Sequence, residues 1–109
     1  MSFGKRLLEL RKSRGISQEK LAKMLGTKGP AIGRYERDVA LPALETIIKL
    51  AEALNVSIDY LLGVVDEEIE PKNLDRLAAI QRLPKDIQEK IFYFLDMSIR
   101  DAHAKQAYS

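Results

Sequence analysis

The stretch from Ser17 to Arg37 contains the sequence feature that most restricts how this chain can fold. It reads SQEKLAKMLGTKGPAIGRYER, and Gly26 separates two segments whose apolar residues lie three and four positions apart. Ser17 is of a residue type that caps helix N-termini by accepting a bond from a backbone N–H. Glycine ends helices because it adopts the left-handed conformation without steric strain. The pattern therefore predicts two short helices joined by a tight turn, the first from Gln18 to Leu25.

The apolar residues of these two segments predict a shared interior. In the first segment Leu21, Met24 and Leu25 fall on one helix face. In the second segment Ile32 and Tyr35 lie three positions apart and share a face. The small side chain of Ala22 in the first helix lets the second helix pack close to it. Two helices with facing interiors in this order form a helix-turn-helix. The residues predicted to lie inside it are Leu21, Ala22, Leu25, Gly26, Ile32 and Tyr35.

The rest of the chain also has helical spacing, so the predicted fold class is all-α. Ser2 is expected to cap a first helix from Phe3 to Arg14. The helices predicted after the helix-turn-helix run from Ala43 to Leu54, between Ser57 and Gly63, from Asn73 to Leu83 and from Lys85 to about Ala104. We expect five helices around one core in residues 1–63, an acidic linker at 64–72 and a two-helix extension at 73–109.

Apolar spacing also predicts which faces of these helices are buried and which are polar. Asn55 and Gly63 are of residue types that adopt the left-handed conformation at the end of a helix. The inward residues expected in the fourth and fifth helices are Leu44, Ile47, Ile48, Leu50, Ala51, Leu54, Ile58, Leu61 and Leu62. The polar side expected for the first helix consists of Lys5, Arg6, Lys12 and Arg14.

Charge is distributed unevenly along the chain. Residues 1–37 hold ten Lys or Arg against three acidic residues, whereas the remaining 72 residues hold eight against thirteen. A basic half that carries a helix-turn-helix predicts a phosphate-binding surface there. The alternative is a basic face that contacts only solvent.

A set of short motifs in fixed order identifies a family resemblance. These motifs are Leu21 with Ala22, Leu25 with Gly26, Ile32, the run Arg34-Tyr35-Glu36-Arg37, the run Leu50-Ala51-Glu52-Ala53-Leu54, and Val56 with Ser57. Over roughly Phe3 to Gly63 the chain resembles the Cro and phage-repressor type of helix-turn-helix, also called the XRE family. The resemblance implies a five-helix repressor-like DNA-binding domain. It also implies a sequence-specific transcriptional regulator of double-stranded DNA, most often a repressor, whose third helix enters the major groove.

The resemblance implies the DNA-contacting positions, and the third helix departs from its relatives at several of them. Gln18 is expected to contact a phosphate at the start of the second helix. Ala31 offers only a methyl contact to thymine, so Lys28 and Arg34 are the expected base readers. A domain with weak or lost specificity, which binds something else, is the alternative. The DNA-binding residues predicted in this way are Gln18, Thr27, Lys28, Gly29, Pro30, Ala31, Gly33, Arg34 and Arg37.

Two structural features follow from the resemblance and from the last helix. The resemblance implies a buried ion pair between Arg11 and Glu36, the alternative being an Arg11 that faces solvent. The apolar arc of the last helix is wider than one packing surface needs, which predicts a homodimer on a palindromic operator. The alternatives are that the chain covers this arc itself, or that an antitoxin-like or adaptor protein binds a protein partner there. The predicted dimer contacts are Ile87, Ile91, Phe92, Phe94, Leu95 and Ile99.

The sequence offers no catalytic or metal-binding constellation. It has no cysteine, and its single histidine, His103, lies near the C-terminus. Gly26, Gly29 and Gly33 follow no predicted strand, so they do not form a phosphate-binding loop. We therefore predict that the protein is not an enzyme and binds no metal or cofactor. Without an apolar run long enough for a membrane span, we expect no membrane association and a cytoplasmic location.

Overall fold

The computed structural model describes residues 1–107, and over that range it contains α-helices and no strand. The helices are α1 (Phe3–Ser13), α2 (Gln18–Leu25), α3 (Gly29–Glu36), α4 (Leu44–Leu54), α5 (Ile58–Leu62), α6 (Pro71–Gln81) and α7 (Lys85–Ala107). The all-α prediction is confirmed. The chain divides into two compact units: the first unit is Met1–Pro71, and the second unit begins at Lys72.

Serine side chains begin three helices of the first unit. The hydroxyl of Ser2 accepts the backbone N–H of Lys5 at 3.1 Å, and that of Ser17 accepts the N–H of Lys20 at 3.0 Å. Ser57 caps α5 in the same way. Each bond satisfies a backbone donor that lacks a partner within the helix, so these predicted caps are confirmed.

Each of the five helices in the first unit is followed by a residue in the left-handed conformation. At the end of α2, Gly26 has φ 73°, and the next N–H bonds back to the carbonyl of Ala22 at 2.9 Å. The left-handed residues after the other four helices are Gly15, Asp38, Asn55 and Gly63. These bonds satisfy the last free carbonyls of each helix. Asp38 was not predicted to end a helix, and its carboxylate accepts the N–H of Gly4 at 2.9 Å.

The core of the first unit draws on all five of its helices. Its buried apolar residues are Leu7, Leu10, Leu21, Ala22, Ile32, Ile47, Leu50, Ala51, Leu54, Val56 and Leu61. Helix α1 meets the end of α3 at Gly4, where an added Cβ would lie 2.5 Å from the carbonyl oxygen of Tyr35. Only glycine permits this close approach.

Several residues predicted to face inward are exposed instead. Met24 of α2 is 51% exposed and Leu44 of α4 is 66% exposed. Ile48, Ile58 and Leu62 are exposed as well. A helix on the surface of a small core buries a stripe rather than every apolar position, and the five-residue α5 fully buries only Leu61.

Arg6 was predicted on the polar side of α1, and this is wrong. Its guanidinium lies 4.0 Å from the centre of the Tyr60 ring, and its Nη1 donates to the Tyr60 carbonyl at 3.0 Å. Arg14 likewise turns inward, where its Nε donates to the carbonyl of Leu54 at 3.0 Å and its Nη2 pairs with Glu68. Both arginines therefore donate hydrogen bonds to backbone carbonyls of the first unit.

The second unit consists of α6 and α7 joined by a short turn. Helix α6 begins at Pro71, so the predicted cap at Asn73 is wrong, and that side chain accepts a bond from Arg76 instead. The turn is held by Gln88, whose amide donates to the carbonyl of Leu83 at 2.7 Å. No residue in the described part of this unit, 72–107, is buried.

Candidate nucleic-acid interface

A cleft with a volume of about 700 Å³ lies where α2 and α3 meet. We call its lining the α3 surface. The residues that line it are Gln18, Gly26, Thr27, Lys28, Pro30, Ala31, Gly33, Arg34 and Arg37. Every predicted DNA-contacting residue except Gly29 is therefore brought to one place, although these residues come from two helices and the turn between them. Gly26, which was predicted to lie in the interior, is exposed and belongs to the lining.

Gly29 faces α2 rather than the α3 surface. A Cβ added there would lie 3.2 Å from the Cγ of Glu19. One helical turn later Gly33 is buried, and an added Cβ would lie 3.0 Å from the Nη1 of Arg37 and 3.5 Å from the amide of Gln18. The two glycines let α3 pack directly against the start of α2, so Gly29 has a packing role and does not contribute to the lining.

Three exposed cations line the α3 surface. They are Lys28, Arg34 and Arg37, and within residues 1–107 none of them forms an ion pair. Lys28 is also the residue before α3, and its side chain makes no cap bond. Free cations beside a concave surface attract an anion, because no neighbouring carboxylate competes for them.

A buried ion pair fixes the position of α3 against α1. Arg11 Nε lies 2.5 Å from Glu36 Oε2, and Nη2 donates to Oε1 at 3.1 Å. The side chains are 12% and 3% exposed, respectively. The third donor of Arg11, Nη1, bonds to the carbonyl of Ile16 at 2.9 Å. The ion pair that the resemblance implied is thus present, and it holds the end of α3, the end of α1 and the turn before α2 together.

The same carboxylate positions Gln18. The side-chain amide of Gln18 donates to Glu36 Oε1 at 2.8 Å. An amide NH₂ has two donors, so one of them remains for another acceptor on the α3 surface. Gln18 is consequently oriented by a buried group before any ligand arrives.

Not all of the cationic residues counted in residues 1–37 are available to bind an anion. Of the ten cationic residues in 1–37, Arg6, Arg11 and Arg14 are bonded within the first unit. The cations that remain exposed are Lys5, Lys12, Lys20, Lys23, Lys28, Arg34 and Arg37. A sequence signal for the burial of Arg6 exists: this arginine lies three residues after Phe3 and four before Leu10, on the apolar face of α1.

The described residues hold neither a membrane span nor a metal-binding cluster. None of the helices in residues 1–107 combines the length and the apolar character that crossing a bilayer requires. Over the same residues no three His, Cys, Asp or Glu side chains come close enough together to hold a metal ion.

Comparison with known proteins identifies relatives by sequence and by structure. The HTH-type transcriptional regulator ImmR of Bacillus subtilis is 42% identical over 73 residues, which are 67% of this chain and 56% of ImmR. The transcriptional repressor RstR of the cryptic phage CTXphi in Vibrio cholerae is 31% identical over 96 residues, 88% of this chain and 86% of RstR. Among solved structures, the P22 c2 repressor protein in complex with a synthetic operator is 39% identical, with a TM-score of 0.55, over 57% of this chain and 94% of that chain.

The chain therefore spans a little over half the length of ImmR. The model of the helix-turn-helix family matches residues 7–61, which is half of the chain. Together with the geometry of α2 and α3, this match shows that the chain belongs to the XRE-type helix-turn-helix family, whose members are DNA-binding transcription regulators and not enzymes.

Proposed function

We propose that this chain is a sequence-specific regulator of transcription that binds double-stranded DNA and acts as a repressor. The observation that carries the proposal is the α3 surface. Lys28, Arg34 and Arg37, on and beside α3, are exposed there and form no ion pair within residues 1–107, and the Arg11–Glu36 ion pair holds α3 in place. The relatives support it by their names, since RstR is a transcriptional repressor and the P22 c2 repressor is bound to an operator.

In the proposed mechanism α3 enters the major groove. Arg34 is exposed and can form a bidentate pair with guanine, the commonest specific contact to a base. Gln18 and Arg37, at the two ends of the α3 surface in sequence, contact phosphates and fix the register of the helix. A repressor bound in this way blocks access of polymerase to the operator.

The second unit provides the proposed dimer contact. On α7, Phe94 is 63% exposed and Ile99 is 53% exposed, although both are apolar. A second copy of the chain that covers this face would hold two α3 helices about 34 Å apart, one turn of DNA, and would bind a palindromic operator. The full set of proposed dimer contacts is Ile87, Ile91, Phe92, Phe94, Leu95 and Ile99.

The same exposed face of α7 also favours a second candidate, an antitoxin-like or adaptor protein that binds a protein partner there. Molecular mass in solution separates the two. A concentration-dependent mass of two chains supports the homodimer, whereas a monomer at every concentration supports the partner. In either case, binding to operator DNA implies a cytoplasmic location.

Selection of bound sites from a random pool of duplexes, at stated salt, tests DNA binding directly. The site should contain a guanine that Arg34→Ala no longer prefers, with a loss of about 1–3 kcal/mol of discrimination at one or two base pairs. Lys49→Ala removes an exposed cation from α4, away from the α3 surface, and should leave the selected site unchanged. An unchanged site in Arg34→Ala would show that Arg34 is not the reader. Failure to bind any duplex at low salt would contradict the function itself.

Salt dependence tests the phosphate contacts separately. The affinity of the wild-type chain should fall steeply as salt rises, because bound cations release counterions from DNA. Arg37→Ala should reduce the slope of log K against log salt by about 0.9, with the selected sequence unchanged. A full slope in this variant would remove Arg37 from the phosphate contacts.

A further inference from the structure

The acidic linker, residues 64–70, belongs to the first unit and is bonded to it. At its start the backbone N–H of Val64 donates to the carbonyl of Asp59 at 2.8 Å, which closes the end of α5. Farther along, Val65 is 40% exposed and Ile69 is 38% exposed, so more than half of each residue is covered. A linker this rich in like charges extends into solvent unless specific contacts hold it.

One arginine of the first unit binds the middle of the linker. The Nη2 of Arg14 pairs with the carboxylate of Glu68, which lies 54 residues later in the chain. The other two nitrogens of this guanidinium donate to the carbonyl of Leu54 at 3.0 Å and to the hydroxyl of Ser13 at 3.1 Å. An exposed ion pair contributes little when two mobile side chains must be ordered to form it. Here the arginine is already oriented by the first unit, so the cost falls on the glutamate and the linker alone.

The residue that follows the linker also packs on the first unit. Pro71 is half-buried and lines a cleft of about 430 Å³ between α4 and α5. The apolar part of this lining includes Ile48, Val56 and Ile58. Because Pro71 is also the first residue of α6, the chain leaves the first unit from a defined place.

The freedom of this linker determines how strictly a dimer would measure its operator. Eight peptide steps separate Gly63 from Pro71, and a flexible chain of that length has an r.m.s. span of about 15 Å and a maximum of about 27 Å. Successive base pairs lie about 3.4 Å apart and are rotated by about 35°. Two flexible linkers would therefore accommodate several base pairs more or fewer between the half-sites, whereas two bound linkers would not.

We propose that the linker is a strap, bound to the first unit by the Arg14–Glu68 ion pair, and that this strap determines which spacing of half-sites the protein accepts. The proposal rests on the proposed function, since it requires a homodimer on a palindromic operator. It goes further because it assigns the choice between operators with identical half-sites to two residues that read no base. Arg14 and Glu68 are thus positioning residues for DNA recognition.

Backbone dynamics test the strap in the absence of DNA. In the full chain labelled with nitrogen-15, the amides of residues 64–70 should have order parameters of about 0.85, like those of α4 and α5, whereas a flexible linker gives values below about 0.6. Glu68→Lys places a second cation beside Arg14 and should lower the linker values below about 0.6 without changing those of the helices. Glu67→Lys makes the same change of charge at an exposed neighbour that forms no ion pair within residues 1–107, and should keep the wild-type values.

A series of duplexes tests the consequence for DNA binding. The selected site is compared with copies in which one base pair is inserted or removed between unchanged half-sites. For the wild-type chain and Glu67→Lys, each change should weaken binding about tenfold or more, because the duplex must be twisted to align both half-sites. For Glu68→Lys the loss should be about threefold or less, since a flexible linker absorbs the change. The two lysine variants have the same net charge, so their stronger general attraction to DNA cancels from this comparison.

The possible results separate the strap from the proposed function. A linker that is mobile in the wild-type chain would overturn the strap and leave DNA binding intact. A linker that stays ordered in Glu68→Lys would show that the ion pair does not hold it. Equal dependence on spacing in the two lysine variants, or no dependence in the wild-type chain, would overturn the role of the strap in operator choice. A chain that binds no duplex would refute the proposed function, whereas the order parameters would still test the strap.

Discussion

Apolar residues recur at helical spacing in both units of this chain, yet the two units differ in how far they bury them. The first unit buries Leu7, Leu21, Ile32, Leu50, Leu54 and Leu61 almost completely. In the described part of the second unit no residue is buried, although α7 alone is 23 residues long. The difference lies in the number of directions from which a helix is covered.

Short helices that cross one another can enclose side chains on several sides, whereas two helices cannot. In the first unit, α1 meets the end of α3 at Gly4, and α2 meets the start of α3 at Gly29. In the second unit, the long face of α7 has only α6 available within its own unit. An apolar helix face without cover is stabilised by a further surface, and we propose a second copy of the chain.

The largest loss of stability should follow removal of Arg11. Arg11→Ala leaves the carboxylate of Glu36 buried without its counter-charge, which should lower the free energy of unfolding by about 3–5 kcal/mol. Urea denaturation followed by circular dichroism measures this. Lys12→Ala removes the neighbouring exposed cation and should change stability by no more than about 0.5 kcal/mol. Equal losses in the two variants would show that the ion pair does not stabilise the first unit.

The double variant Arg11→Met with Glu36→Met tests the same pair from the other side. Because it leaves no buried charge unpaired, it should be more stable than Arg11→Ala. It also removes the acceptor that orients Gln18, so DNA affinity should fall even where the fold is retained. A double variant less stable than Arg11→Ala would mean that Glu36 stabilises the first unit even without the arginine, through its bond from Gln18.

Leucine truncation compares the two units directly. Leu50→Ala removes a side chain that is 0% exposed and should destabilise the first unit by about 2–5 kcal/mol. Leu95, on α7, is 43% exposed, so Leu95→Ala should have a small effect in dilute protein and a larger one at concentrations where dimers form. Equal, concentration-independent losses would place Leu95 in a core within its own chain, which would contradict the contrast between the units.

Much of the first unit was predictable because the residue types at its helix ends indicate where the helices begin and end. Ser2, Ser17 and Ser57 cap helices as their residue type predicts, and Gly26 ends α2. The bounds predicted for α2 are those observed. All but Gly29 of the DNA contacts that the resemblance implied line the α3 surface, and their contact with DNA stays a prediction.

What the sequence could not supply was the direction in which particular side chains point across the fold. Gly29 and Gly33 read equally well as groove-facing or helix-facing positions until the close approach of α2 is known. The spacing of Arg6 from Phe3 and Leu10 places it on the apolar face of α1, but the sequence does not show its partners, the carbonyl and ring of Tyr60. Asp38 adopts a left-handed conformation as its carboxylate accepts the N–H of Gly4, a partner 34 residues away.

A charge placed on α7 tests the proposed dimer. Phe94→Asp introduces a carboxylate into the face that we propose is covered by a second copy, and should raise the dissociation constant of the dimer by about thirtyfold or more. Ser98→Asp adds the same charge to the same helix at an exposed polar position and should have little effect. Sedimentation equilibrium measures both. An unchanged mass in Phe94→Asp would exclude this residue from the interface.

The smallest effect should come from comparing two residues that both read as helix caps. In Ser17→Ala the N–H of Lys20 loses its acceptor, which should destabilise the first unit by about 1 kcal/mol. Asn73 lies inside α6, two residues after its first residue, and its exposed side chain accepts a bond from the side chain of Arg76. Asn73→Ala should therefore leave stability unchanged or raise it slightly, since alanine favours the helix interior. Chemical denaturation of both variants decides the matter, and a loss in Asn73→Ala comparable with that in Ser17→Ala would move the start of α6 to Asn73, where its sequence alone had placed it.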